Sequence, residues 1–290
     1  MTSPVILEGL HALKHATRFN ARVTAIMTDD LDKALAATEN IDPTLGEMLR
    51  RSAQVVSRQE FRERVSQPVP THVLAYAERP QWTLEQGLPT ASRPTILLDD
   101  PRNSGNIGAV IRVGAACDAA GVLIRGSDDP FNPMTTRGAA GLQWAIPVWG
   151  SQTLLEQLPR SASRNIGSDG LAGAVDSVAP AGPASVTPVP APSTTAAPAP
   201  LLVGLDADGE LFDPSQFLGP TIFAFGSERV GLSAAVRDRC DRVVALPMRP
   251  HVSSLNLATC VAATLYLRQY AARALAQSAD ARLSTPTEKD

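Results

Sequence analysis

Three short polar segments carry the residue types that could do chemistry, and each follows an apolar run and precedes a helix-like one. The first is Asp99-Asp100-Pro101-Arg102-Asn103-Ser104-Gly105-Asn106-Ile107-Gly108, with Arg112 about one turn beyond. Gly105 and Gly108 permit tight turning and close backbone approach, and Asn106 can cap or brace the loop. The second, Gly226-Ser227-Glu228-Arg229-Val230-Gly231, sets a carboxylate between two glycines at a strand end. It suits either a hydrogen bond to a polar ligand or neighbouring loop, or a favourable charge at a helix start. The third runs from Leu246-Pro247-Met248 to Ser254-Leu255-Asn256 and leads straight into a helix. Ser254 and Asn256 can cap that helix or project into a cleft. None of the segments has the G-x-G-x-x-G spacing of a dinucleotide site, and no P-loop lysine is present.

The elements that must position these residues read as alternating strands and helices. Thr95–Leu98, Gly121–Ile124, Leu201–Leu205, Thr221–Phe225 and Arg242–Leu246 are apolar, strand-length runs. Ala109–Ala120 and a long segment from Leu255 to Gln277 are helical in pattern. Strand–helix–strand at this spacing implies a parallel sheet, where ligands gather at the carboxyl ends of strands. The three polar segments are therefore expected to converge. Ahead of them, residues 1–78 read as a small α/β unit. It has strands at Val23–Met27 and Val73–Ala77, a helix opened by Asp42-Pro43, and a Ser57-x-x-Glu60 capping box. Residues 79–93, containing Pro80 and Pro89, read as a linker. Residues 161–200 interrupt the second domain (94–277) with an Ala/Pro-rich stretch expected to be a disordered insertion, and 278–290 read as a flexible tail.

Composition adds bounds. The chain has 290 residues, 44% hydrophobic and 19% charged, with a formal net charge of −3. That balance is ordinary for a soluble globular protein, and any polyanion would have to be met by local basic patches rather than a basic domain. The three cysteines are scattered and odd in number, which suits a reducing cytoplasm and argues against disulfides or a zinc site. No secretory signal is expected, and no run approaches the length of a membrane helix.

Taken in order, Asn106-x-Gly108-x-x-x-Arg112, Gly226-Ser227-Glu228-x-x-Gly231 and Leu246-Pro247-Met248…Ser254-Leu255-Asn256 resemble the three motifs of the SpoU (TrmH-like) RNA 2′-O-ribose methyltransferases. Arg137-Gly138-Ala139-Ala140-Gly141 resembles a further loop of that family, and Leu7-Glu8-Gly9-Leu10-His11-Ala12-Leu13 the start of its small L30e-like RNA-binding domain. The resemblance covers roughly Pro94 to Gln277. It implies a parallel-sheet α/β domain ending in a trefoil knot, preceded by the L30e-like domain. It also implies bound S-adenosyl-L-methionine, structured RNA (rRNA or tRNA) as substrate, and a homodimer without metal. General topology rules would have pointed away from a knot.

By position, the resemblance places Gly226, Leu246, Leu255, Leu205 and Met248 at the cofactor. It assigns Arg112, Asn106, Glu228, Ser254 and Asn256 to catalysis. Arginine almost never loses its proton, so Arg112 is expected to act through an RNA phosphate or by stabilising a developing alkoxide. Asn106 would brace Arg112 and the loop. Glu228 would orient loops across the dimer or hold Arg112, while Ser254 and Asn256 would position ribose and cofactor. For RNA contact, Arg102 and Arg137 lie near these loops, and Lys14, Arg18 and Arg22 fall at steps of four that could form one basic stripe. A catalytically silent RNA-binding protein, a nicotinamide oxidoreductase and a base-nitrogen methyltransferase are the competing readings.

Overall fold

The computed structural model describes residues 3–160, 199–252 and 254–283. Most of the insertion expected over residues 161–200 and the last seven residues of the tail expected over 278–290 lie outside the described residues.

The N-terminal unit is a four-stranded sheet in the order β1-β4-β2-β3, made from β1 (Val5–Glu8), β2 (Val23–Thr28), β3 (Ala53–Val55) and β4 (Val73–Ala77). Its helices are α1 (Leu10–Arg18), α2 (Leu31–Ile41), α3 (Thr44–Ser52) and α4 (Arg58–Arg64). Of the capping box expected at α4 the serine half forms, Ser57 accepting from the Glu60 N–H, while the Glu60 carboxylate accepts from Arg64 at 2.8 Å. The start expected at Asp42-Pro43 is displaced by one residue. Pro43 takes the N-cap position, and the Asp42 carboxylate accepts from the Thr44 N–H at 3.1 Å.

The second unit is a six-stranded, all-parallel sheet in the order β10-β8-β9-β5-β6-β7. Its strands are β5 (Thr95–Asp99), β6 (Gly121–Arg125), β7 (Val148–Gly150), β8 (Leu201–Leu211), β9 (Thr221–Phe225) and β10 (Arg242–Ala245). Strands buried on both faces must be apolar at every position, and β5 and β9 are buried throughout. Alternation divides them: Ile96, Leu98, Phe223 and Phe225 point to one core, Leu97, Ile222 and Ala224 to the other. The first core is closed by α5 (Ser104–Ala116) and α9 (Leu257–Leu283), through Ile107, Ile111, Val261 and Leu265. The second is closed by α7 (Leu154–Gln157) and α8 (Ala234–Arg237). The remaining helix, α6 (Pro133–Gly138), packs against both α5 and β1.

Two boundaries differ from the sequence reading for local reasons. α5 begins at Ser104 rather than Ala109 because Asn103 caps it, accepting from the Asn106 N–H at 3.0 Å. Asn106 therefore stands on the first helical turn and not in a free loop. α9 runs on to Leu283, past the expected end at Gln277.

The stretch read as a linker is docked. Trp82 donates from its indole N–H to the Gln143 carbonyl at 2.9 Å, and Leu84 is buried in the second core. The two units share one apolar core, in which Leu7, Leu10 and Leu13 join Ile107, Val110 and Ala139. At their junction Gly141 has φ +75°, and a Cβ there would lie 2.3 Å from the Ala12 carbonyl oxygen. Only glycine permits that approach of the loop to α1.

Candidate active site

The site is built at the carboxyl ends of β8, β9 and β10. β8 and β10 pair through Gly204 and then again from Glu210, so the register jumps and Leu205–Gly209 bulges out of the ladder. Bulges re-aim side chains beside functional clefts. Here the bulge sets Leu205, Asp206, Ala207 and Asp208 along one wall of a cleft of about 520 Å³. The opposite walls come from Gly226–Leu232, from Leu246 and Met248 after β10, and from Ser254, Leu255, Leu257 and Cys260 at the entry to α9. All five positions assigned to the cofactor, Gly226, Leu246, Leu255, Leu205 and Met248, therefore line a single cavity, together with Glu228 and Ser254.

Segment 226–232 has a defined shape. Ser227 and Gly231 pair as an isolated antiparallel bridge, N–H to O at 3.1 and 2.9 Å, with Gly231 at φ +73°. The five residues form a tight loop that closes over Gly226. A Cβ on Gly226 would sit 1.9 Å from the Gly231 carbonyl carbon, so no side chain fits there. Glu228 projects from this loop and its Oε1 accepts from Asn106 Nδ2 at 2.6 Å. Asn106 Oδ1 in turn accepts from Asn256 Nδ2 at 3.1 Å. Asn256 Oδ1 accepts from the Ala258 and Thr259 N–H groups, capping α9. One side chain from each of the three segments thus meets at a hydrogen-bonded junction spanning 150 residues of sequence. Asn256 is thus a helix cap tied to Asn106; it does not line the cleft, whereas Ser254 does.

Other expected residues are placed differently. Glu228 pairs with Asn106 and not with Arg112. Arg112 is exposed on α5, is not among the cleft-lining residues, and has no hydrogen-bond or ion-pair partner among the described residues. It lies near α1, where His15 Nδ1 donates to the Ala140 carbonyl at 2.8 Å. Burial holds the His15 imidazole below its ordinary value. The Ala140 hydrogen bond opposes this, and the charges of Lys14, Arg112 and Arg18 add to the depression.

Lys14, Arg18 and Arg22 do not form one stripe. α1 ends at Arg18, so Arg22 lies off the helix and pairs with Glu78 at 2.9 Å, while Arg18 pairs with Asp42 at 2.7 Å. Arg137 ties the two units together, donating to the Pro68 carbonyl at 3.0 Å and reaching Glu8 at 3.5 Å. Arg102 is well exposed beside Asp100.

Three contributors escaped the sequence reading. Asp99, 1% exposed, accepts from Arg125 at 2.7 Å and from the Ser233 N–H at 2.7 Å. It fixes the end of β5 to the far end of the glycine loop. A buried carboxylate closing an apolar strand was the available signal. Asp206 pairs with Arg237 inside the cleft at 2.6 Å. Nothing in the local sequence marks that pair, because it depends on the bulge. Arg268, 3% exposed, donates to the carbonyls of Ala91, Ser92, Phe217, Leu218 and Gly219, locking α9 to the segments that lead into the central strands β5 and β9.

The profile of the SpoU rRNA methylase family matches residues 194–266, which contain the bulge, the glycine loop and the start of α9. Over that segment the chain is similar to the SpoU rRNA methylases. A 23S rRNA uridine 2′-O-methyltransferase of Streptomyces viridochromogenes is 30% identical over 200 residues, 68% of this chain and 59% of that relative's length. Among solved structures, the SpoU methyltransferase AviRb of S. viridochromogenes in complex with AdoMet superposes with a TM-score of 0.66 at 23% identity. The match covers 92% of this chain and 91% of that one. An AdoMet-bound rRNA methyltransferase of Sinorhizobium meliloti gives 0.62 at 18% identity, covering 92% and 87%. At those identities the superpositions establish the SpoU fold for both units of the chain.

Proposed function

We propose that this chain is an S-adenosyl-L-methionine-dependent RNA 2′-O-ribose methyltransferase that acts on structured RNA, as a homodimer, in the cytoplasm. The observation that carries the reading is the Asn106–Glu228–Asn256 junction, one residue from each SpoU motif, beside a cleft floored by a glycine that tolerates no side chain. The reading includes the trefoil knot, for which the return of the chain from the edge strand β10 to α9, with 226–232 and 246–257 lining one cleft, is the supporting arrangement. It also includes the L30e-like assignment for residues 1–78.

The residues present fit the cofactor. Leu205, Leu246, Leu255 and Leu257 offer an apolar lining for an adenine, and the bare backbone at Gly226 permits close approach by a ligand. When bound, S-adenosyl-L-methionine supplies an already activated methyl group on a sulfonium. The protein's remaining tasks are alignment and management of the hydroxyl proton. The Asn106–Glu228–Asn256 junction holds the three segments in register. Ser254, exposed and lining the cleft, is the hydroxyl for a ribose contact in this reading. Arg112 stays protonated and serves the developing alkoxide electrostatically or through a substrate phosphate.

Because Arg112 does not line its own cleft, a site completed by a second copy accommodates it best. α9 supports that assembly. Tyr266, Leu267, Tyr270 and Leu275 are 54, 42, 75 and 52% exposed, an apolar surface a second copy would cover. The acceptor is an RNA ribose because the 2′-hydroxyl is the group that distinguishes RNA.

The test is methyl transfer from labelled S-adenosylmethionine to ribosomal and transfer RNA, followed by alkaline hydrolysis. A 2′-O-methyl group blocks cleavage at its own phosphodiester, so label retained in alkali-resistant dinucleotides supports ribose methylation. Label in base-modified mononucleotides refutes it, and the absence of transfer under conditions of proven cofactor binding supports the silent RNA-binding reading instead.

A further inference from the structure

The N-terminal unit contains a second cleft, of about 640 Å³, at the carboxyl end of β2 and between α4 and the segment leading into β4. Phe61, Val65 and Val69 give it an apolar floor, and Arg58, Arg62, Gln67 and His72 stand around it. Its one carboxylate, Asp29, is 7% exposed and already engaged. It meets His72 Nδ1 at 2.8 Å and lies 3.9 Å from Arg58 Nε. Arg62 has no ion-pair partner among the described residues, and the Gln67 amide reaches only the weakly accepting Met134 sulfur at 3.3 Å. The cleft therefore combines an apolar floor, an excess of positive charge and under-used hydrogen-bonding groups.

Its rim leads toward the methyl-transfer site. Gln67 touches Met134 on α6, and Pro68 is held by Arg137 at the other end of that helix. α6 packs against α5, whose first turn carries Asn106. By contrast, the arginines of the expected basic stripe are paired with Asp42 and Glu78.

We infer that this cleft is a nucleotide subsite that seats one unpaired nucleotide of the RNA substrate, with its base on the Phe61–Val65–Val69 floor and its phosphate on Arg58 and Arg62. Single-stranded loops and bulges are where an unstacked base can be buried and its edge hydrogen-bonded, and Gln67 and the free Nε2 of His72 are the groups that would meet that edge. A cleft of this size falls in the range used for small-molecule recognition. The inference rests on the RNA-methyltransferase reading and adds to it the place where the substrate is gripped outside the cleft that holds the cofactor.

The experiment compares the full-length wild type with Arg58→Ala/Arg62→Ala and with Gln67→Ala. The readouts are fluorescence anisotropy with a labelled single-stranded oligoribonucleotide and with a matched perfect duplex, and calorimetry with S-adenosylhomocysteine. For the double variant, single-strand affinity is expected to fall about tenfold. The slope of log K against log salt should shrink by about 1.4, two phosphate contacts at roughly 0.7 each. Cofactor affinity should be unchanged. Gln67→Ala should weaken single-strand binding severalfold without altering the salt slope, as a base-edge contact requires. Unchanged single-strand affinity and slope in the double variant, with wild-type RNA binding intact, overturns the subsite while leaving the enzyme reading standing. Equal losses on single strand and duplex overturn the claim of an unpaired base. Failure of the wild type itself to bind RNA refutes the enzyme reading and not the subsite alone.

Discussion

Replacing Gly226 by alanine should abolish tight cofactor binding without unfolding the chain. The added Cβ would lie 1.9 Å from the Gly231 carbonyl carbon and 2.2 Å from both the Gly231 oxygen and the Leu232 nitrogen. All three are backbone atoms, so no rotamer change relieves the overlap. Carbon atoms pack at about 3.5 Å, so the 227–231 loop must retreat by roughly 1.6 Å. Glu228 rides on that loop. A shift of that size stretches its 2.6 Å bond to Asn106 beyond hydrogen-bonding range. The exposed junction would lose about 1 kcal/mol, and displacement of the backbone cradle removes contacts of about the same size each. A total of about 2–3 kcal/mol corresponds to a 30- to 150-fold rise in Kd. Calorimetry with S-adenosylhomocysteine measures it. Gly219→Ala is the control, since a Cβ at Gly219 has nothing within 4 Å. A Gly226→Ala protein that binds within threefold of wild type would refute the placement of the cofactor against this loop.

Further outcomes follow from other parts of the site. A double-mutant cycle on Asn106→Ala and Glu228→Ala should return a coupling of about 0.5–1 kcal/mol in urea unfolding, the scale of an exposed hydrogen bond; additivity within error would show that the junction is not formed in solution. Arg112→Ala should keep cofactor affinity and lose most turnover, and an undiminished rate would remove Arg112 from the mechanism. Arg268→Met leaves five carbonyl oxygens without their shared donor and should cost about 3–5 kcal/mol in denaturant unfolding, whereas a loss under 1 kcal/mol would contradict the bonding described. His15 supplies a pH signature. Its imidazole is held below 6.5 chiefly by burial, so the unfolded chain binds its proton more readily. That group's contribution to stability is complete above pH 6.5 and is lost as pH falls from there through its lowered folded value. The urea midpoint should drop across that window in the wild type and drop less in His15→Gln; identical profiles would contradict the assignment.

The sequence carried the site further than it carried its geometry. Apolar strand text at 95–98, 121–124, 201–205 and 221–225 marked the sheet because strands covered on both faces must be apolar at every position. The three motif segments were legible because their glycines, carboxylate and amide side chains stand at strand ends. Parallel topology brings them together: the second and third line one cleft, and the first meets them through Asn106. What local text could not show was where a helix captures residues from a loop. Asn103 capping α5 moved Asn106 onto a helical turn, which aims it at Glu228 instead of Arg112. The bulge at Leu205–Gly209 was invisible because it is a mismatch between two strands about 40 residues apart. The basic stripe failed for a similar reason. A four-residue period assumes a helix that continues, and α1 stops at Arg18.

A crystal structure of the protein grown with S-adenosylhomocysteine tests the central claim most directly. Electron density for the ligand is expected between the Leu205–Asp208 bulge, the Gly226–Gly231 loop and the Leu246–Leu257 segment, with the Asn106–Glu228–Asn256 junction intact beside it. Ligand density anywhere else on the molecule, or those three segments drawn apart in the complex, would contradict it.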